Sequence, residues 1–202
     1  MKVLVGCECS GIVREAFRAK GHEAWSCDLK PAEDGSLFHY QESIIRVLEE
    51  TRWDLVILHP ECTALTVAGN HVYARGKPKF GERLSQASWV EGLWNLALSR
   101  SRSVCLENPV GVLPTLTNLP QPKYIQPYNF GHDASKKTGL WLNKLPPLVN
   151  TERVVGRFVD GNERWSNQTD SGQNRLGPSE DRATNRSRTY QGVADAMADQ
   201  WG

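Results

Sequence analysis

Read by the spacing of its apolar positions, the first half of the chain alternates between short β-branched runs and stretches of helical period. Residues 2–7 predict a strand. Ser10-Gly11 then opens a helical pattern of Ile12, Val13, Ala16 and Phe17 that runs to Lys20 and stops at Gly21. Residues 22–27 predict a second strand ending on Asp28, residues 31–36 a loop, and residues 42–50 a helix with Ile44, Ile45 and Leu48 on one face. Residues 53–58 form an apolar run bounded by charge before it and His59-Pro60 after it, which is the pattern of a central strand; Pro60 cannot extend a ladder, so the strand ends there. A long irregular loop is expected over 67–80, a broadly buried covering helix over 84–99 and another interior strand over 103–106. Prolines 109, 114, 120, 122 and 127 predict an irregular connection, after which residues 139–142 resume a strand. From 143 to 184 there is little periodicity beyond a short hairpin through Val154, Val155, Phe158 and Val159, and residues 190–201 predict a closing helix with Val193, Met197 and Trp201 in register.

Alternating strands and helices predict an α/β fold: a Rossmann-like, doubly wound, mostly parallel sheet with a small irregular insertion before the C-terminal helix. The expected organisation is a catalytic and cofactor-binding unit over 1–142, a short recognition-like segment over 143–186 and a helix over 187–202 that packs back on the first unit. At 202 residues the chain suits one well-buried domain, and a mean hydropathy of -0.49 adds a polar, loop-rich portion. A net charge of +1 leaves any nucleic-acid surface to a local patch. No apolar run approaches membrane-spanning length and the N-terminal apolar run begins a strand, so the expectation is a soluble, cytoplasmic protein without a membrane partner. Five cysteines, an odd number with several in interior strands, read as thiols rather than a disulfide framework, and the Cys7-x-Cys9 spacing matches no usual zinc pattern, so no metal is expected.

Two strand ends carry the candidate chemistry. Cys62 lies just past the end of the 53–58 strand, where open α/β sheets place reacting groups. Glu107-Asn108-Pro109 follows the 103–106 strand. If the strands are neighbours, a thiol nucleophile and a proton-donating carboxyl group converge on one crevice. The first strand-turn-helix unit, with Gly6 and Gly11 but no complete Gly-x-Gly-x-x-Gly, and Asp28 at the end of the second strand, suit a nucleoside-bearing cofactor. The 67–80 loop bears His71, Arg75, Lys77 and Lys79, which suit phosphates.

Taken in order, these blocks resemble the C5-cytosine DNA methyltransferases, which are Rossmann-like enzymes of the class I methyltransferase type. Cys7-Glu8-Cys9-Ser10-Gly11 lies where that family has its cofactor loop, Asp28 at its ribose-binding acid, and Gln41-Glu42-Ser43 near its adenine-side acid. His59-Pro60-Glu61-Cys62-Thr63 is similar to its Pro-Cys-Gln block, Glu107-Asn108-Pro109 to its Glu-Asn-Val block, Lys136-Lys137-Thr138 to its basic block, and Tyr190-Gln191-Gly192 to its closing block. Glu61 stands in place of a second proline, Thr63 in place of glutamine, and two lysines in place of arginines. The segment after residue 143 is much shorter than a usual target-recognition domain.

The resemblance implies S-adenosyl-L-methionine as cofactor and DNA as partner, with RNA or a free pyrimidine nucleotide as alternative substrates. It implies catalysis by Cys62, Glu107 and Asn108, and cofactor contacts from Cys9, Ser10, Gly11, Asp28, Gln41, Glu42, Pro60 and Gly192. Phosphate contacts would come from Arg75, Lys77, Lys79, Lys136, Lys137, Arg182, Arg186 and Arg188. Two other readings stay open: a catalytically silent cofactor- or nucleic-acid-binding relative, and a nicotinamide-dependent oxidoreductase.

Overall fold

The computed structural model of the chain describes residues 1–175 and 188–202. Its centre is a seven-stranded sheet built from β1 (Lys2–Gly6), β2 (Glu23–Asp28), β3 (His39–Gln41), β4 (Trp53–Leu58), β5 (Ser101–Pro109), β6 (Lys123–Ile125) and β7 (Thr138–Asn143), in the order β3-β2-β1-β4-β5-β7-β6. The first five strands run parallel, and β7 is antiparallel to both of its neighbours. Among the described residues the helices are α1 (Ile12–Ala19), α2 (Ile44–Glu50), α3 (Asn70–Tyr73), α4 (Phe80–Arg100), α5 (Leu113–Leu116) and α6 (Gln191–Trp201).

Strand periodicity explains the layers. Val3, Val5, Leu55, Ile57, Cys105 and Leu140 point to one face and are covered by Val13 and Phe17 of α1 and Val193, Met197 and Trp201 of α6. Leu4, Val56, Leu58, Val104, Leu106 and Trp141 point to the other and are covered by Ile44 and Leu48 of α2 and by Val90, Leu93, Trp94 and Ala97 of α4. A strand buried on both faces reads as a continuous apolar run, which is how β1 and β4 read in the sequence. The fold is thus the expected Rossmann-like doubly wound sheet. Its winding reverses between β1 and β4, so the loops after β1, β4 and β5 open on one carboxyl-end crevice, the place where such sheets bind ligands.

Several local expectations are corrected. β3 is three residues long and pairs through Cys27↔Tyr40 and Asp28↔Gln41, too short to show a period. The 67–80 stretch is not wholly irregular: it holds a 3-10 turn at Val67–Gly69 and α3. Helix α4 begins at Phe80 rather than Leu84. β5 extends through Glu107 and Asn108, and Pro109 is its last residue, paired with Thr138. The proline-rich connection contains α5 and β6. The hairpin is β8 (Arg157–Val159) with β9 (Asn162–Arg164), not a pairing through 154–159. Its turn is Asp160-Gly161, both left-handed, the hairpin signal of an Asp-Gly pair.

The segment around this hairpin packs on the connection between β6 and β7. The Trp165 ring stacks on Tyr128 at 3.9 Å with 7° between planes, and the Asn167 amide bonds both the N–H and the carbonyl of Ser135. Among the described residues no helix is long and apolar enough to cross a membrane.

Candidate active site

The Cys62 loop is held from three directions. After β4, the His59 N–H adds one more bond to β1 by donating to the Gly6 carbonyl at 2.9 Å. The Cys62 carbonyl accepts the N–H groups of Leu65 and Thr66 at 2.9 and 3.0 Å, which closes a tight turn whose Leu65 is fully buried. Beyond that turn the chain is laced to the loop after β5, with Val112 N–H on the Leu65 carbonyl at 2.9 Å and a bridge between Thr66 and Gly111. A Cβ on Gly111 would lie 2.0 Å from the Leu65 carbonyl oxygen, so only glycine permits this approach. From α4, the buried Arg83 donates to the Ala64 carbonyl at 2.6 Å, the Thr66 carbonyl at 3.1 Å and Asn70 Oδ1 at 2.9 Å, and Gln86 donates to the Glu61 carbonyl at 3.2 Å. The Glu61 side chain is exposed.

β5 presents Glu107 and Asn108 to opposite faces because they are adjacent in a strand. Asn108 is buried and donates its amide to the Pro60 carbonyl at 3.1 Å, fixing the backbone just ahead of Cys62. The Glu107 carboxylate lies on the α6 side, with Oε2 at 3.3 Å from His59 Nδ1. Burial pushes the Glu107 carboxyl up, but the His59 hydrogen bond, the Lys136 charge and a hydrogen bond with the Thr138 hydroxyl outweigh it, and the group sits below the usual carboxylate range. Next to it a cavity of about 20 Å³, room for one water, is lined by Glu107, Lys136, Thr138 and Tyr190 among others.

All five cysteines are thiols without disulfides. Burial first, then the charge of Asp28, pushes Cys7 and Cys27 up to about 12, and burial raises Cys105 well above the ordinary thiol range. Cys9 is raised by desolvation and by Asp28 and Glu33. These four are poor nucleophiles at neutral pH, since the thiolate is the reactive form. Half-buried Cys62 lies in the loop after β4, which is hydrogen-bonded to the loop after β5.

At the β1 end the turn is organised by Glu8. Its Oε1 accepts the Val13 N–H at 2.9 Å and the Ser10 hydroxyl at 3.2 Å, so a carboxylate caps the start of α1. Ser10 is therefore tied within the turn, and the Cys9 thiol donates to Glu33 at 3.5 Å. Gly11 is left-handed, and a Cβ there would lie 2.3 Å from the Arg14 guanidinium. That buried guanidinium bonds Ser26 Oγ at 2.7 Å and pairs with Asp34, docking the loop after β2 on α1. Asp28 pairs in register with Gln41, and its Oδ1 accepts the Lys30 N–H at 2.9 Å. Both Glu42 oxygens are engaged at the start of α2, by the Ser43 N–H and by Arg46. Gly192 lies at the start of α6. Its N–H donates to His132 Nε2 at 2.8 Å, and a Cβ would meet the Phe130 carbonyl at 1.9 Å, so it serves close packing of α6.

The basic residues divide. Arg75, Lys77 and Lys79 are exposed beside α4, and Arg75 lines a groove of about 490 Å³ with Asn70, Phe80, Arg83 and Leu116 among others. Lys136 turns toward Glu107 and donates to the Arg188 carbonyl at 3.3 Å, while Arg188 pairs with Glu33 at 2.5 Å. Lys137 lies over the Tyr124 ring at 4.6 Å, away from its neighbour. Arg182 and Arg186 lie outside the described residues.

Among the described residues five buried side-chain polar atoms have no hydrogen-bond partner. Three of them, Glu8 Oε2, His59 Nε2 and Asn108 Oδ1, lie at the carboxyl ends of β1, β4 and β5. Buried polar atoms are normally paired, so this grouping marks where a polar ligand would complete the structure. Sequence reasoning missed Glu8, Arg83 and Gly111, whose roles depend on contacts distant in the chain. It also missed His59, whose place between an apolar strand and a proline was a usable signal. No protein-family model matches this chain, and no curated protein matches it.

Proposed function

We propose that this protein transfers a methyl group from S-adenosyl-L-methionine to C5 of cytosine in DNA through a covalent adduct at Cys62. The observation that carries the reading is the pairing of a Cys62 turn after β4 with a buried Glu107-Asn108 at the same end of the adjacent β5, joined through Asn108 and Pro60.

Cytosine C5 is not nucleophilic until the ring is activated. Cys62, as its thiolate, adds to C6. Glu107 holds a proton at N3 and draws off the negative charge that this addition places in the ring. Asn108 keeps the Cys62 backbone in place while this happens. Loss of the C5 proton and release of Cys62 then restore aromaticity. In duplex DNA the base must first leave the stack, at about a few kcal/mol. Exposed Arg75, Lys77 and Lys79 beside α4 would hold phosphates of the bound strand, with Lys136 and Arg188 as further candidates.

The β1 end fits the cofactor. Glu8 puts a carboxylate at the start of α1 with Oε2 unpaired, an acceptor for the cofactor's ammonium group, and Asp28 beside Gln41 suits its ribose. Bound there, S-adenosyl-L-methionine supplies an electrophilic methyl group. The same Glu8 disfavours the nicotinamide alternative, because a dinucleotide places its pyrophosphate at a helix N-terminus that a carboxylate already caps. At 100 times its dissociation constant the true cofactor stabilises the fold by about 2.7 kcal/mol, so thermal melting with each candidate separates them.

The deciding experiment is trapping with DNA containing 5-fluorocytosine, where fluorine cannot leave as a proton does. Mass spectrometry should find the adduct on Cys62, and Cys62→Ala should abolish it. Cofactor binding without an adduct on duplex, single-stranded DNA or RNA would overturn the reading in favour of a silent binding protein or a free-nucleotide substrate.

A further inference from the structure

We infer that His59 is the positioning residue of Glu107 and supplies the proton that Glu107 presents to the pyrimidine, so that the two act as one dyad. The inference rests on the proposed reaction and adds its proton source.

His59 and Glu107 extend from the ends of neighbouring parallel strands, whose last pair is Leu58↔Leu106, and both point to the α6 side. Their side chains are only 9% and 11% exposed, and Nδ1 lies 3.3 Å from Oε2. The far ring nitrogen, Nε2, is buried and unpartnered, so no protein group competes for the imidazole. The other groups facing Glu107 are Lys136, Thr138, Cys105 below it on the same strand, and Tyr190 across the small cavity. On the β1 side His59 bonds Gly6 through its backbone only. Of these neighbours, the imidazole is the one with a ring nitrogen, 3.3 Å from Oε2, that can both carry and give up a proton.

An ionised Glu107 and the lone pair on cytosine N3 are both acceptors and cannot bond each other. The step balances as follows. Imidazolium Nδ1–H passes its proton to Glu107 Oε2, leaving a neutral imidazole and a carboxylic acid. The acid gives a proton to N3 as the Cys62 sulfur forms its bond to C6 and the ring's C5–C6 π electrons are displaced toward N3. The imidazole recovers a proton from solvent after the product leaves.

Two readouts test this. First, the rate of Cys62 adduct formation on 5-fluorocytosine DNA is followed from pH 5.5 to 9 in the wild type, in His59→Gln and in His59→Ala. The wild-type rate should fall on the alkaline side; His59→Gln, which keeps a hydrogen-bond donor without a titrating proton, should be at least tenfold slower at pH 7 and lose that fall. A His59→Gln profile that superimposes on the wild type overturns the proposal. Second, the Glu107 carboxyl is titrated by carbon NMR in the wild type and His59→Gln, with Glu107→Gln for assignment, and the His59 ring is titrated in Glu107→Gln. Each group should shift when its partner is replaced, Glu107 upward and His59 downward. This readout needs no turnover and survives the loss of one variant to misfolding. If the wild type forms no adduct, the methyl-transfer reading fails, and the titrations alone decide the dyad: reciprocal shifts keep it, and unmoved titrations overturn it.

Discussion

Asn108 donates its side-chain amide to the Pro60 carbonyl at 3.1 Å, so the strand that carries Glu107 also fixes the backbone leading into Cys62. Asn108→Ala removes a buried donor and leaves a buried carbonyl unpaired. It is expected to destabilise the fold by about 1–3 kcal/mol in urea unfolding and to slow adduct formation further than a stability change of that size explains. Equal adduct rates in the two proteins would show that the Pro60 contact does not position Cys62.

Arg83 ties three acceptors of the 64–70 stretch to α4. Arg83→Met should cost on the order of 3 kcal/mol and speed amide hydrogen exchange over residues 62–70, with α1 and α6 unchanged. Arg83→Lys keeps the charge but loses the planar fork, and should recover only part of the protection.

Cys7 and Cys27 are held at about 12 in the folded protein. A thiol raised on folding contributes stability that is complete below its unfolded value, roughly 8.5, and is lost as pH rises toward the folded value. Each should lower stability by about 1.4 kcal/mol per pH unit across that window. Thermal melting should therefore drop steeply between about pH 9 and 11, and Cys27→Ala should show a shallower drop, with a lower melting temperature at pH 7.

Lys136 and Lys137 are adjacent in the chain but opposite in role, since one faces Glu107 and the other lies over Tyr124. Lys136→Met should raise the Glu107 titration in carbon NMR and move the alkaline fall in adduct formation to higher pH. Lys137→Met should leave both alone. If Lys137 meets a phosphate, its loss reduces the salt slope of DNA binding by about 1, measured by fluorescence anisotropy at several salt concentrations.

The sequence determined the sheet strands that are buried on both faces, because burial on both faces demands an unbroken apolar run, as in β1 and β4. It determined α1, whose apolar spacing and Gly21 stop match the helix found. It also placed Cys62 and Glu107 just past apolar runs, where a strand's carboxyl end puts them in the crevice once the sheet is parallel. Short elements were hidden: β3 and β6 span three residues each, less than any period can reveal, and proline masked α5.

Only the tertiary structure decided that β4 and β5 are neighbours, and hence that the residues just past Leu58 and Leu106 meet as His59 beside Glu107 and Pro60 under Asn108. It alone gave Arg83 its three acceptors, gave Gly111 its approach to Leu65, and turned Gly192 to packing. The physical reason is common to all of them: a hydrogen bond or a close contact between residues tens of positions apart leaves no local period or composition in the chain, whereas burying one face of an element does.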